Sequence, residues 1–275
     1  MIAPIPNISD REFAQFQRFI FDAAGITLSG AKKQLVSGRL ARRLQHHGLD
    51  SFGHYFALIG STAQAAERQI AIDLLTTNET YFFREPRHFD FLRQQLAEDG
   101  SSTRPLRIWS AACSSGEEPY SIAMVLEDQL AGRRPWSVLA SDISRRVLER
   151  AATGQYSLER IDNIPRQYLE RFCLRGTGPR EGTLLVDPEL RRKVEFRQIN
   201  LNRPLPMAGL FDIIFLRNVL IYFNAETKRQ VVGRLVSALK PDGWLLVGHS
   251  EGLHDCSAGL AMVAPAIYRR AREAA

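Results

Sequence analysis

The segment WSAACSSGEEPYS at residues 109–121 is typical of a strand that ends in a tight turn and leads into a helix. In nucleotide-binding α/β folds this turn holds the cofactor, and it usually carries several glycines and presents a helix N-terminus to a phosphate. Here the turn has a single glycine, Gly116, followed by the acids Glu117 and Glu118. Because two carboxylates would repel a pyrophosphate, the segment predicts a cofactor that carries positive charge.

The composition favours a folded protein with an acidic partner. The chain has 275 residues, 45% of them hydrophobic, which supports a packed core in one large domain or two modest ones. The net charge of +6 and the sequence pI of about 9.5 favour contact with nucleic acid, lipid headgroups or an acidic protein.

Neither a membrane span nor a disulfide framework is predicted. No apolar run is as long as a membrane span, and the N-terminus lacks the pattern of a signal peptide. The three cysteines, Cys113, Cys173 and Cys256, are widely spaced and odd in number, so neither a disulfide network nor a zinc site is expected. We predict a cytoplasmic protein that holds no metal and does not insert into a membrane.

The periodicity of the hydrophobic residues changes near residue 100. Residues 1–95 are predicted to form a helical domain, with helices at 31–47, 51–59 and 63–75. A polar break, GSSTRP at residues 100–105, then marks the entry to a second domain over 96–275. Strands and helices alternate from there, which predicts an α/β fold with a doubly wound, mostly parallel sheet. Residues 171–200 interrupt the alternation, and we expect TLLVDP and KVEFRQI to pair there as a small antiparallel β insertion.

S-adenosylmethionine (SAM) fits an acidic turn because it carries a sulfonium and an ammonium group and no phosphate. An acid in the first helical turn can bind the ammonium, and small residues let the backbone approach the methionine and ribose. Asp142, at the end of the second predicted strand, has the position from which an acid binds ribose hydroxyls in such folds. Two alternatives stay open: Asp142 as a helix cap, and Glu117 and Glu118 as ordinary acids that complement a helix dipole.

Three motifs accompany the turn in a fixed order: LLTTNETYFFRE before it, then FLRNVLIYF and GHSE after it. With them, the chain resembles the chemotaxis receptor methyltransferase (CheR) family over nearly its whole length. The resemblance implies a helical N-terminal part, a SAM-dependent methyltransferase sheet and a small β insertion. It also implies methyl transfer from SAM to receptor glutamates, which yields glutamyl methyl esters and S-adenosylhomocysteine. Cys113 departs mildly from the family pattern, in which a smaller residue such as Ala is expected.

The resemblance also implies which residues bind the cofactor. They lie in the TNETYFFR motif, in the acidic turn and at strand ends, and they are Asn78, Thr80, Arg84, Glu118, Asp142, Asn200, Leu201, Arg217 and Asn218. Glu117 is a further candidate. Taken singly, such residues are ordinary turn, cap or surface residues, so the prediction depends on their combination.

The chemistry of a glutamate acceptor predicts a site without a general base. The ordinary pKa of glutamate is about 4.3, so the acceptor is already a carboxylate at neutral pH. Methyl transfer is an in-line displacement that needs alignment and exclusion of water. Arg84 and Tyr222 are therefore the catalytic candidates, because either could orient the carboxylate. For Arg84 a role in binding alone is the alternative, because a pair that is too strong would slow its nucleophile. Amino methyltransferases of nucleic acids resemble one another in an Asn/Asp-Pro-Pro-aromatic motif, whereas residues 217–220 read RNVL; that class and a non-catalytic adaptor remain the alternatives.

The predicted helix at 31–47 carries a strong positive charge. Residues 23–49 contain no Asp or Glu, and Val36, Leu40 and Leu44 form an apolar stripe on the helix. The predicted receptor-binding residues are Lys32, Arg39, Arg42 and Arg43. A solvated helix face is the alternative, and nucleic acid would match the charge equally well. The resemblance implies that the partner is the cytoplasmic receptor domain with its acidic methylation helices. It implies that nucleic acid is not a partner.

The insertion sequence LRGTGPREG resembles the form found in family members that also bind a pentapeptide at the receptor C-terminus. Binding would be by β-augmentation, in which the peptide adds a strand to an exposed sheet edge. Gly176, Gly178 and Gly182 would then shape the turn beside that edge. A plain hairpin turn is the alternative.

Overall fold

Four helices form the N-terminal part of the computed structural model, which describes residues 7–100, 102–130, 132–206, 209–254, 256 and 259–271. The helices are α1 (Asp10–Ala24), α2 (Lys33–His46), α3 (Phe52–Gly60) and α4 (Ala65–Leu75). A capping box starts α1, because the side chains of Ser9 and Glu12 each accept a hydrogen bond from the other's backbone N–H. The apolar faces of the helices meet in one core around Phe16, Phe52 and Tyr55. The helical N-terminal domain is therefore confirmed.

Helix α5 (Arg87–Glu98) lies between the two domains in sequence but packs with the second one. Its buried residues Phe89, Leu92 and Leu96 belong to the same core as the helix that follows the acidic turn. The core of the helical domain ends with Leu75 on α4. The predicted boundary at residues 95 and 96 therefore lies one helix after the change in packing.

A seven-stranded sheet forms the second domain. Its strands and main helices are β1 (Leu106–Ala111), α6 (Glu117–Leu130), β2 (Trp136–Asp142), α7 (Arg145–Thr153), β6 (Val194–Gln198), β7 (Phe211–Leu216), α10 (Ala225–Ala238), β8 (Leu239–Val247), β9 (Leu260–Ala264) and β10 (Ile267–Arg270). The strand order is β6-β2-β1-β7-β8-β10-β9, and the first five strands are parallel. Strand β10 is antiparallel to both of its neighbours.

Helices cover both faces of the sheet, which confirms the predicted doubly wound α/β class. Helices α5 and α6 pack on one face and α10 packs on the other. Side chains of β1 alternate between the two cores, with Ile108 on one face and Trp109 on the other, and both are fully buried. The strand order reverses between β1 and β7, and ligands of such sheets bind outside the carboxyl ends of strands at this switch point.

A small antiparallel sheet is also present, but its composition differs from the prediction. It joins β3 (Gln155–Ser157), β5 (Thr183–Val186) and β4 (Cys173–Arg175) in that order, with α8 (Arg166–Phe172) before β4 and α9 (Pro188–Arg192) after β5. The predicted pairing of KVEFRQI within the insertion is wrong, because β6 pairs in parallel with β2 at the edge of the main sheet. The sequence pattern is equally compatible with an edge strand and with a hairpin, and only the register with β2 separates them.

The two domains touch beside the carboxyl ends of β1 and β2. Asp73 on α4 accepts hydrogen bonds from the backbone N–H groups of Arg145 and Arg146, so a side chain of the helical domain caps helix α7. The backbone N–H of Thr27 donates to the carbonyl oxygen of Tyr222 at 2.8 Å. Among the described residues, no helix has the length and hydropathy required to cross a bilayer.

Candidate cofactor-binding site

A pocket that is partly open to solvent lies at the switch point of the sheet. The helical domain contributes Ala24 and Ile26, and residues 76–80 cross from that domain to the sheet along its edge. All ten predicted cofactor and catalytic residues line this pocket: Asn78, Thr80, Arg84, Glu118, Asp142, Asn200, Leu201, Arg217, Asn218 and Tyr222. The fold thus brings them together, while the contact of each with a cofactor stays a prediction.

The two acids of the turn have different environments. Glu118 lines the pocket, where one carboxylate oxygen accepts a hydrogen bond from the Ser110 hydroxyl at 2.7 Å and the other from Arg217 at 2.8 Å. Glu117 is fully buried outside the pocket lining and pairs with Arg160 at 3.0 Å. Successive residues of a helix point about 100° apart, so neighbouring acids at a helix start reach different partners. The further candidate Glu117 therefore has a different contact from Glu118.

The single glycine of the turn is explained by space and by backbone conformation. Gly116 has φ +95°, and a Cβ atom there would lie 2.8 Å from both the Ala151 Cβ and the Tyr156 hydroxyl. Ala112 and Ser114 also have positive φ, of 68° and 50°, although they are not glycines. Such conformations are costly for L residues and concentrate at functional sites. The turn is therefore held in a strained form without the several glycines of a phosphate-binding loop.

Asp142 is buried at the end of β2 and accepts two backbone hydrogen bonds. Its carboxylate oxygens accept from the N–H groups of Ser114 and Ser144, each at 2.9 Å. Burial raises the pKa of Asp142 to about 6, although these hydrogen bonds oppose the shift. The contact with Ser144, just before α7, supports the capping alternative. Each oxygen keeps a second lone pair, so ribose binding stays a prediction that is compatible with capping.

A buried arginine connects the acidic turn to the TNETYFFRE motif. Arg217, at the end of β7, pairs with Glu118 at 2.8 Å and with Glu85 at 3.1 Å, and it donates to the carbonyl oxygen of Arg84. Asn218 has φ 57°, its amide donates to Glu85 at 3.2 Å, and its N–H donates to Glu251 at 2.7 Å. The sequence reasoning missed both glutamates as site residues, although both lie in its quoted motifs. The Glu251 carboxylate also accepts hydrogen bonds from the backbone N–H groups of Ile221 and Gly248. The GHSE motif therefore holds the loop after β7 in place.

Three possible metal ligands lie beside this arginine. One ligand atom each from Glu85, His88 and His249 falls within 4.8 Å of the others. Burial lowers the pKa of His88 to about 3, so its ring is neutral near pH 7. The Arg217 guanidinium contacts the same Glu85 oxygen and already supplies the positive charge that a cation would bring. The prediction that the protein holds no metal stays a prediction.

The two catalytic candidates, Arg84 and Tyr222, line the pocket and form few hydrogen bonds or ion pairs with the rest of the protein. Arg84 is half-buried, donates one hydrogen bond to the carbonyl oxygen of Glu79 at 3.0 Å, and lies over the Tyr81 ring. Among the described lining residues, Arg84 is an arginine without an ion pair, in contrast to Arg217. Tyr222 lines the pocket beside the helical domain. A carboxylate that enters the pocket could therefore meet a guanidinium that has no counter-ion in the described part of the chain.

Asn78 and Asn200 hold the walls of the pocket in place. The Asn78 side chain accepts from the Thr76 hydroxyl at 3.1 Å, and its carbonyl oxygen accepts from the Ser114 hydroxyl at 2.8 Å. The Asn200 amide donates to the carbonyl oxygen of Ala23 at 2.6 Å and thereby joins the two domains. Some hydrogen-bond donors and acceptors of these predicted cofactor residues are therefore already engaged within the protein.

The basic helix α2 does not present all of its charges to solvent. Arg43 forms two hydrogen bonds with the buried Glu67, at 2.8 and 2.5 Å, and Arg39 donates to the carbonyl oxygen of Thr76 at 2.9 Å. The predicted receptor surface needs correction here, because these two side chains face α4 and the segment after it. Lys32 and Arg42 are exposed, and no ion pair engages them among the described residues.

The three glycines of the insertion lie in the connection between β4 and β5. A Cβ atom on Gly176 would lie 2.0 Å from the carbonyl oxygen of Arg180, so this position requires glycine. Gly178 and Gly182 have φ of +57° and +78°, in the region that glycine adopts without strain. They shape the turn as expected, and the plain-turn alternative would require the same geometry.

Comparison with known proteins decides the family. The family model described as "CheR methyltransferase, all-alpha domain" matches residues 11–76, and "CheR methyltransferase, SAM binding domain" matches residues 78–265. The chain belongs to the CheR methyltransferase family. The junction between the two matches coincides with the end of α4, and the predicted resemblance is confirmed.

Several relatives match nearly full length. The "Chemotaxis protein methyltransferase" of Escherichia coli K12 is 46% identical over 247 residues, which cover 89% of this chain and 85% of the relative. That of Salmonella typhimurium is 42% identical over 271 residues, covering 98% and 93%. That of Borreliella burgdorferi is 36% identical over 274 residues, covering 96% and 95%.

The residues of the pocket fit SAM, the cofactor of the family. The paired Glu118 and Arg217 present both signs of charge, which complements the ammonium and carboxylate of an amino acid. Asp142 supplies a carboxylate where the fold binds ribose. When bound, SAM supplies an electrophilic methyl group. The protein is a SAM-dependent methyltransferase, and the predicted cofactor is confirmed.

Proposed function

We propose that the protein methylates glutamate side chains of chemotaxis receptors in the cytoplasm and forms glutamyl methyl esters. The observation that carries the proposal is Arg84, a half-buried guanidinium in the pocket that has no carboxylate partner among the described residues. A carboxylate acceptor would complete that ion pair, whereas a neutral amine or base nitrogen would not. The names of the relatives, which are chemotaxis protein methyltransferases, support the same acceptor system.

The mechanism needs alignment rather than proton transfer. An acceptor glutamate is ionised at neutral pH, so its oxygen attacks without a base. Arg84 and Tyr222 orient this carboxylate, and the segment 76–80 together with the end of α1 contributes to the wall of the pocket. We expect kcat to stay level between about pH 6 and 9, as measured at saturating cofactor and receptor. A loss of kcat through one ionisation near neutrality, with binding intact, would indicate a base.

Two surfaces support receptor binding. Lys32 and Arg42 provide exposed positive charge on the side of the helical domain, which suits the acidic surroundings of a methylated glutamate. Strand β4 is an edge of the small sheet, and Leu174 on it is half exposed. An extended peptide from the receptor C-terminus could add a strand at that edge, beside the turn that Gly176 makes possible.

The chemistry of the product distinguishes the proposed acceptor from nucleic acid. The protein is incubated with SAM labelled with tritium in its methyl group, together with receptor cytoplasmic domain or with RNA and DNA. We expect label in the receptor that is released as methanol by mild alkali, because carboxyl methyl esters hydrolyse there. Stable label in nucleic acid would overturn the proposal in favour of base methylation. No transfer to either acceptor, with cofactor bound, would also overturn the proposal, because the enzyme would then require a different methyl acceptor.

A further inference from the structure

The β insertion and the cofactor pocket are joined by two contacts. Tyr156 on β3 is 1% exposed, and its hydroxyl donates a hydrogen bond of 2.8 Å to the carbonyl oxygen of Ser115 in the acidic turn. Arg160 follows β3 in the short turn that leads to α8. Its Nη2 atom lies 3.0 Å from the Glu117 carboxylate and donates a hydrogen bond of 3.0 Å to the carbonyl oxygen of Thr80.

We propose that Arg160 is a positioning residue of the SAM site, which fixes the acidic turn and the TNET segment relative to one another. Thr80 and the turn around Ser114 line the pocket from two separate parts of the chain. One guanidinium has several N–H donors in a plane and can bridge acceptors on both parts. The hydrogen bond from the Ser114 hydroxyl to Asn78, at 2.8 Å, is a second link between the same two segments.

The charge of Glu117 explains why an arginine is required at this place. Glu117 is fully buried, and its second oxygen accepts a hydrogen bond from the Ser115 hydroxyl at 2.7 Å. A buried carboxylate is unfavourable unless a counter-charge and hydrogen bonds satisfy it. Among the described residues, Arg160 is the cation that contacts this carboxylate. The insertion therefore completes the electrostatics of the first turn of α6.

The steric fit of the turn supports the same conclusion. The Tyr156 hydroxyl lies where it would contact a Cβ atom on Gly116 at 2.8 Å, so the insertion and the turn are in direct contact. The insertion is thus a structural part of the cofactor site as well as the proposed peptide-binding element. This inference concerns retention of SAM and holds for any acceptor.

The test compares cofactor binding in four proteins: the wild type, Arg160→Gln, Arg160→Lys and the control Arg166→Gln. Arg166 is exposed on α8 and pairs only with Glu170 among the described residues. Calorimetry with SAM and S-adenosylhomocysteine should show Kd raised about tenfold in Arg160→Gln, the loss expected for about 1.4 kcal/mol. Arg160→Lys, which keeps one charge and fewer donors, should lie between. The control should stay within about twofold, and kcat of Arg160→Gln at saturating SAM should fall much less than its KM for SAM rises.

A double variant separates positioning from stability. Arg160→Gln leaves the buried Glu117 carboxylate without a counter-charge, so the melting temperature of this variant should fall. Adding Glu117→Gln removes that charge, and the melting temperature should recover while Kd stays raised, because the bond to Thr80 is still missing. The proposal is overturned if Kd of the folded double variant equals that of the wild type. Since the readout is cofactor binding, failure of receptor methylation would contradict the proposed function and leave this test unaffected.

Discussion

Helix α2 and the acidic turn before α6 both stand out in the sequence through charges of one sign, and the fold divides both sets in the same way. On α2, Arg43 bonds to the buried Glu67, while the neighbouring Arg42 is exposed. At the turn, Glu117 forms an ion pair with Arg160 outside the pocket lining, while the neighbouring Glu118 lines the pocket. A run of like charge therefore indicates that counter-charges must come from elsewhere in the chain, and it does not indicate how many of the charges are free.

The two regions differ in the surroundings of the outward charges. Lys32 and Arg42 face open solvent, where water and salt screen each charge. Glu118 faces a partly enclosed pocket next to the buried Arg217, where the effective dielectric constant is lower. Buried pairs should therefore control stability, pocket charges should control cofactor affinity, and exposed charges should make a smaller contribution to partner binding.

The largest effect is expected for Arg43→Ala. The free energy of unfolding should fall by about 3 kcal/mol, because Glu67 is 5% exposed and loses its bidentate partner. Urea denaturation measures the change. The matched control is Arg42→Ala on the same helix, which should stay within about 0.5 kcal/mol. Equal stability of the two variants would show that Arg43 is a surface charge after all.

The pH dependence of the difference in the free energy of unfolding between wild type and Arg43→Ala is a second test of the ion pair between Arg43 and Glu67. Burial opposes ionisation of Glu67, but hydrogen bonds from Arg43, Tyr55 and His47 outweigh it and lower the pKa of Glu67 to about 2. A carboxyl whose pKa is lowered on folding stabilises the protein above its ordinary pKa of 4.5, and this stabilisation is lost as the pH falls through about 2. The difference between wild type and Arg43→Ala should therefore narrow as the pH falls from 5 towards 2. A constant difference would contradict the ion-pair explanation.

An intermediate effect is expected for Glu118→Gln. SAM affinity should weaken by about 1.5–3 kcal/mol, because a charged hydrogen-bond acceptor is lost in the pocket and Arg217 loses one of its counter-charges. Calorimetry measures the affinity. The control is Glu127→Gln on the same helix, whose carboxylate pairs with Lys193 away from the pocket. Unchanged affinity in folded Glu118→Gln would remove Glu118 from the cofactor site.

The smallest effect per charge is expected on the exposed face of α2. Reversal of Lys32 and Arg42 to Glu should raise KM for the receptor, by an amount that corresponds to about 0–1 kcal/mol of binding free energy per charge. The salt dependence of receptor methylation should weaken, and SAM affinity should not change. Steady-state kinetics at several salt concentrations measures both effects. Arg18→Glu with Arg229→Glu is the control, because it changes the net charge equally at two other exposed positions. If both double variants respond alike, receptor binding depends on overall charge and not on α2.

Much of the cofactor site could be predicted because its residues lie at strand ends or in motifs. Asp142 ends the apolar strand β2, Glu118 lies in the first turn of the helix that follows β1, and the carboxyl ends of parallel strands meet at one edge of a sheet. Glu85 and Glu251 could not be assigned, because their partners Arg217 and Asn218 are distant in sequence. Periodicity also could not decide between the main sheet and the insertion for β6, since a short apolar strand has no signal for its neighbour.

The amino-acid sequence by itself determined the helical and α/β parts and, through its motifs and the family resemblance that they carry, the cofactor and the set of residues that meet in the pocket. These properties depend on local periodicity and on motifs that are contiguous in the chain. Only the tertiary structure decided which charges are free, because pairing depends on side chains that are far apart in sequence. Arg43 with Glu67 and Arg160 with Glu117 are separated by 24 and 43 residues. Burial of one partner in each pair makes these contacts necessary, since an unpaired charge in the interior is unfavourable.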